Sequence, residues 1–82
     1  MAKVTERRLL DDCLFANQSV LKNWSFGLKV ERYGNGFMLF KLFRRAGNGT
    51  TPLFTNPMSA RETYRYIQGF IVAAALANSG EG

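Results

Sequence analysis

The chain has 82 residues, a formal net charge of +5, one cysteine and no histidine. This length predicts one domain, residues 1–82, with frayed ends at 1–4 and 79–82. A lone cysteine without histidine excludes an internal disulfide and a Cys/His zinc site. No apolar run approaches the roughly 20 residues of a membrane span, and the N-terminus lacks the apolar centre of a signal peptide, so we expect a cytoplasmic protein.

The N-terminal region predicts a helix capped by Thr5. Apolar residues recur there at spacings of three, four and seven: Leu9, Leu10, Cys13, Leu14, Val20 and Leu21. The segment Asn17-Gln18-Ser19 favours local side-chain hydrogen bonds over helix. Two endings therefore remain open: the helix continues to about Asn23, or it stops near Ala16 and restarts with Ser19 as its cap.

Three strands are predicted after this helix. Residues 24–31 alternate between apolar and polar, which is typical of a strand with one buried face. Residues 37–45 carry apolar groups on both faces, which predicts a central strand. Residues 50–55 contain Pro52, which cannot donate a hydrogen bond to a neighbouring strand and so predicts an edge strand.

Two Gly-Asn-Gly segments join these strands: Gly34-Asn35-Gly36 and Gly47-Asn48-Gly49. Both are typical of three-residue hairpin loops, because glycine reaches positive φ without steric conflict. Loops of this length place Val30 opposite Phe40, and Leu42 opposite both Leu28 and Phe54. One face of the sheet then consists of apolar residues: Phe26, Leu28, Val30, Met38, Phe40, Leu42 and Phe54.

A second helix is predicted to begin at the capping box formed by Ser59 and Glu62 and to end near Asn78. Its apolar side carries Tyr64, Ile67, Ile71 and Ala74. Small residues recur every fourth position at Gly69, Ala73 and Ala77. This strip packs against the sheet or the first helix, or it forms a helix pair across a dimer.

These elements predict an α+β fold: an N-terminal helix, a three-stranded antiparallel sheet with two hairpins, and a C-terminal helix packed on the apolar face. We expect the N-terminal helix, or a partner chain, to cover the other face.

Groups suited to catalysis are few. Without histidine, Cys13 has no imidazole base to activate it, and its apolar neighbours predict a buried thiol. Asp11 and Asp12 are adjacent on a helix, so they point in different directions and predict a solvated face. The sequence therefore predicts a protein that is not an enzyme and holds no cofactor or metal.

The second face of the predicted sheet mixes apolar and basic side chains. Its candidate partner-binding residues are Lys29, Tyr33, Phe37, Leu39, Lys41, Phe43, Arg45 and Leu53. This face has three interpretations: it is covered by the first helix or by a second copy of the chain, it stacks nucleic-acid bases, or it docks another protein.

Basic residues outside that face extend the nucleic-acid alternative. Arg61 and Arg65 lie one turn apart at the start of the last helix, where they could join the sheet cations. The candidate nucleic-acid contacts are Lys29, Lys41, Arg44, Arg45, Arg61 and Arg65.

Two resemblances follow from these motifs. The order helix, three strands, helix, with Ser59-Ala60-Arg61 opening the last helix and Ala73-Ala74-Ala75-Leu76 near its end, is similar to double-stranded RNA-binding domains. That resemblance implies binding to a nucleic acid. Those domains carry a lysine cluster where this chain has Arg61, Glu62 and Thr63.

Residues 36–70 also resemble short uncharacterised proteins of phages and prophages. Anti-CRISPR inhibitors are among the compact phage proteins that act by occupying a site on a host machine. The resemblance implies a non-enzymatic accessory protein that docks on a host or phage protein, with a homodimer as one option. Because this chain is basic, it would bind an acidic protein surface or, as the alternative, nucleic acid.

Overall fold

A computed structural model of the protein describes residues 4–33 and 39–80. It confirms an α+β fold with a helix at each end of an antiparallel sheet. The elements are α1 (Glu6–Gln18), β1 (Gly27–Tyr33), β2 (Leu39–Ala46), β3 (Gly49–Pro52), β4 (Met58–Ser59) and α2 (Ala60–Gly80).

Helix α1 begins as predicted, because Thr5 Oγ1 accepts a hydrogen bond from the Arg8 backbone N–H at 3.2 Å. It ends at Gln18, and residues 19–25 form turns and bends rather than a second helix. At this end the Ser19 hydroxyl donates to the Phe15 carbonyl at 2.6 Å. The hydrogen-bonding tendency of the Asn17-Gln18-Ser19 segment therefore terminates the helix without a restart.

The first hairpin pairs Tyr33 with Leu39 and Val30 with Leu42. The predicted pairing of Val30 with Phe40 is therefore wrong by two residues. The Gly34-Asn35-Gly36 loop itself lies outside the described residues. A shift by two leaves each side chain on its predicted face, since strand side chains alternate with period two.

The second hairpin has a two-residue loop, because Ala46 pairs with Gly49. Gly47 has a φ of 59°, which matches the first central position of a type II′ turn, a turn whose twist suits a hairpin. The predicted three-residue loop is therefore wrong. The Leu53 N–H donates to the Leu42 carbonyl at 2.9 Å, so Leu53, and not Phe54, lies opposite Leu42.

A fourth short strand, not predicted from the sequence, completes the sheet. The strand predicted over residues 50–55 corresponds to β3, which ends earlier than predicted, at Pro52. After residues 53–57, β4 pairs Met58 with Phe40 and Ser59 with Leu39. Strands β3 and β4 share one edge of the central strand β2, and β1 occupies the other.

Both helices pack on the same face of the sheet. The core joins α1, α2, β1 and β2 through buried apolar residues: Leu9, Cys13, Ala16, Leu28, Val30, Phe40, Leu42, Ile67 and Ala74. The helices also bond to each other, because Gln68 Nε2 donates to Asp12 Oδ2 at 2.9 Å. The expectation that α1 or a partner chain covers the opposite face is therefore wrong for α1, which lies beside α2.

Helix α2 begins with the predicted capping box. The Glu62 N–H donates to Ser59 Oγ, and Glu62 Oε1 accepts from the Ser59 N–H, each at 3.2 Å. The helix ends at Gly80, two residues beyond the predicted end. Its predicted apolar side is confirmed: Ile67 and Ala74 are buried, and Tyr64 and Ile71 pack against the core.

Candidate functional site on the outer sheet face

The face of the sheet opposite the helices is called the outer face here. Strand alternation assigns to it the residues of β1 and β2 that do not point into the core: Lys29, Glu31, Tyr33, Leu39, Lys41, Phe43 and Arg45. Within residues 4–33 and 39–80, both helices lie on the opposite side, so no described helix covers this surface.

The centre of the outer face is a row of half-buried side chains on β2: Leu39, Lys41 and Phe43. Phe43 lies between Lys29 on one neighbouring strand and Pro52 on the other. Leu39 lies opposite Tyr33, which is 49% exposed. The neighbouring strands therefore hold an aromatic and aliphatic centre in place while leaving part of it open to solvent.

Charged groups lie within this centre and around it. The Lys41 Nζ lies 5.2 Å from the centroid of the Tyr33 ring, a cation–π contact. The Lys29 Nζ lies 2.9 Å from Glu31 Oε2, and both side chains are about half exposed. Three cations and this carboxylate leave a formal charge of +2 on the outer face.

The structure brings six of the eight candidate partner-binding residues together on the outer face: Lys29, Tyr33, Leu39, Lys41, Phe43 and Arg45. Leu53 does not belong to it, because its register opposite Leu42 turns its side chain toward the core. The expected position of Leu53 on this face is wrong by one residue of register, as the second hairpin loop is shorter than predicted. Phe37 lies outside the described residues.

The six candidate nucleic-acid contacts do not form one surface. Lys29, Lys41 and Arg45 lie on the outer face. Arg44 points to the helix side of the sheet, where its guanidinium carbon lies 5.3 Å from the centroid of the Phe26 ring. Arg61 and Arg65 lie on α2, which packs on that same helix side.

Sequence reasoning missed two contributors to the outer face. Glu31 belongs to it through the same alternation that places Lys29 and Tyr33 there, and the acid–base pair at a spacing of two could have identified it. Pro52 lies beside Phe43 because the second hairpin loop has two residues. The predicted three-residue loop would have placed Leu53 at that position instead.

The sole thiol of the chain lies in the core. Cys13 is 4% exposed, and burial, with a smaller effect from the nearby Asp12, raises its pKa to about 12. The thiol therefore stays protonated at neutral pH and is a poor nucleophile. In the described part of the chain, no group of three or more acidic, cysteine or histidine side chains is arranged to hold a metal ion.

Neither α1 nor α2 combines the length and hydropathy needed to cross a membrane. Comparison of the chain with protein-family models, curated proteins and solved structures finds no significant match in any of the three.

Proposed function

We propose that this protein is a non-enzymatic binding protein whose outer face docks on an acidic patch of another protein. The observation that carries this proposal is the composition of that face: half-buried Leu39 and Phe43 with Lys41 between them on β2, and Lys29 and Arg45 around them. Protein interfaces favour an apolar centre with aromatic residues and a polar rim that sets orientation and association rate.

The burial of Cys13 supports the non-enzymatic part of the proposal, because its raised pKa leaves no thiolate for covalent chemistry. The single cysteine of the chain also suits the reducing cytoplasm, where we place the protein. The resemblance of residues 36–70 to short phage and prophage proteins adds a class of partner. In this proposal the target is a component of a host or phage machine, and the protein is an accessory factor or inhibitor.

Nucleic acid is the competing ligand for the outer face. Two contacts disfavour it: the Lys41 ammonium lies over the Tyr33 ring, where a base would stack, and Glu31 offsets the charge of Lys29. The separation of Arg44, Arg61 and Arg65 from the outer-face cations also removes the continuous basic surface that a duplex would require.

The first test is capture of partners from a lysate of the native host at about 150 mM salt, with identification by mass spectrometry. The protein is immobilised as wild type, as Phe43→Glu and as the matched control Leu14→Glu. Leu14 lies on α1 and is 54% exposed, so the control adds the same charge away from the outer face. We expect an acidic protein bound by wild type and Leu14→Glu, and at least tenfold weaker capture by Phe43→Glu.

A gel-shift series with single- and double-stranded DNA and RNA at about 50 mM salt separates the two ligands. We expect no retarded band. Retardation that disappears by about 200 mM salt and is lost in Lys41→Glu would replace the protein-docking proposal with nucleic-acid binding.

A further inference from the structure

From Tyr66 to Ala77 the exposed side of α2 is apolar, although the opposite side of the helix already forms the core. No charged residue occurs from Tyr66 to Gly80. On this stretch Tyr66 is 46% exposed, Val72 56% and Leu76 66%. A surface helix normally carries polar groups on the side facing water, and a helix that is apolar on all sides is normally buried.

Small residues form a depression beside these large ones. Gly69, Ala73 and Ala77 are all exposed, so the interpretation that they pack on the sheet or on α1 is wrong. A groove of about 260 Å³ lies over Gly69 and Ala73, and Arg65, Tyr66 and Phe70 complete its lining. A Cβ placed on Gly69 would meet no atom within 4 Å, so the glycine is not required by any internal contact of the described chain.

We propose that this groove receives α2 of a second copy of the chain, packed antiparallel about a two-fold axis at Ala73. Ala73 then meets its own equivalent, Gly69 meets Ala77 of the second copy, and Tyr66 meets the second copy's Gly80. A two-fold interface must be self-complementary in this way. Small residues on the axis let the two helices approach closely, and the large Tyr66 faces a glycine.

Charge identifies the second copy as the occupant. The last turn of α2 carries no basic residue, so the partial negative charge at its C-terminus is uncompensated by its own side chains. The antiparallel arrangement places Arg65 of each copy beside that end of the other. The two Arg65 side chains then lie about 24 Å apart along the axis, beyond the screening length of roughly 8 Å at physiological salt.

This self-association goes beyond the proposed function, because α2 and the outer face lie on opposite sides of the sheet. The stretch from Tyr66 to Gly80 is about 22 Å long, so the interface is small. We expect a reversible dimer with a dissociation constant on the order of 100 µM, rather than an obligate dimer.

Analytical ultracentrifugation between about 5 µM and 1 mM tests the association. We expect the wild-type mass to rise toward that of a dimer, Ala73→Glu to remain monomeric, and Phe43→Glu on the outer face to dimerise as wild type does. A wild-type protein that remains monomeric at 1 mM would overturn the proposal. Loss of the dimer in Phe43→Glu together with its retention in Ala73→Glu would overturn it also.

Cysteine cross-linking tests the axis without depending on a charged variant. Oxidation of Ala73→Cys should give a covalent dimer, because the two residues meet on the axis. Gly69→Cys should not cross-link with itself, because its two copies lie about 12 Å apart along the helix. Wild type is the matched control, since Cys13 is buried. Cross-linking of Gly69→Cys but not of Ala73→Cys would contradict the proposed geometry.

Discussion

The side-chain amide of Asn17 makes two hydrogen bonds to the backbone of Leu28. Its Nδ2 donates to the Leu28 carbonyl at 2.9 Å, and its Oδ1 accepts the Leu28 N–H at 2.8 Å. The amide thus pairs with the free edge of β1 as the backbone of a neighbouring strand would, and it fixes α1 to β1. This pair holds α1 beside the edge of β1, and the buried side chains of Leu9, Cys13 and Ala16 place the helix on the core face, opposite the outer face.

Asn17→Ala should lower the free energy of unfolding by about 1 to 2 kcal/mol, because the Leu28 N–H and carbonyl lose their partners in a partly buried position. Urea denaturation followed by circular dichroism measures this change. Gln18→Ala, next to it and exposed, is the control and should change stability by less than about 0.5 kcal/mol. Equal stability of Asn17→Ala and wild type would refute the structural role of this amide.

Gly27 is constrained by the same amide. A Cβ on Gly27 would lie 2.8 Å from Asn17 Oδ1, closer than real Cβ contacts occur. Gly27→Ala should therefore destabilise the protein, and the loss should shrink when Asn17→Ala is also present. A double-mutant cycle in urea measures this coupling, which we expect to be about 0.5 to 2 kcal/mol. Additive single effects would show that the two residues do not interact.

Breaking the capping box of α2 should lower the stability of the protein by a measurable amount. Ser59→Ala removes the acceptor for the Glu62 N–H and should lower the unfolding free energy by about 1 kcal/mol. For a domain of this size that corresponds to a fall in Tm of about 4 to 8 °C. Ser25→Ala, in an exposed bend, serves as the reference substitution and should leave Tm unchanged.

The burial of Cys13 predicts that its thiol is alkylated slowly and that the stability of the protein depends on pH in a specific way. Its pKa in the folded protein, about 12, exceeds the ordinary value of 9.0. The raised pKa means that the neutral thiol is favoured by folding, so its contribution to stability is complete below about pH 9 and is lost as pH rises toward 12. Iodoacetamide at pH 8 should label the native protein far more slowly than the urea-unfolded protein. Equal rates would contradict the burial of this thiol.

Local signals were sufficient to predict the helices. The Thr5 cap and the Ser59 capping box involve residues three apart in the chain, so the sequence alone identifies the bonding pairs. The apolar side of α2 follows from helical periodicity in the same way. The pairing of Asn17 with Leu28 spans eleven residues and depends on how α1 lies on the sheet, which no local pattern encodes.

Turn geometry limited the prediction of the site. A Gly-Asn-Gly segment fits both two- and three-residue loops, and the positive φ of Gly47 selects the shorter one. The resulting one-residue change moved Leu53 to the core side, while the even shift of the first hairpin left Lys41 and Phe43 on the outer face. Most of the candidate site was therefore predictable from period-two alternation, and its edge on β3 was not.

The outer face as a docking surface is tested most directly by the affinity of the captured acidic partner for wild type and for Phe43→Glu, measured by calorimetry. Ala73→Glu, on the opposite side of the molecule, is the control. We expect at least a tenfold weaker affinity for Phe43→Glu, with its fold preserved by circular dichroism, and an unchanged affinity for Ala73→Glu. Equal binding by wild type and a folded Phe43→Glu would contradict docking through the outer face.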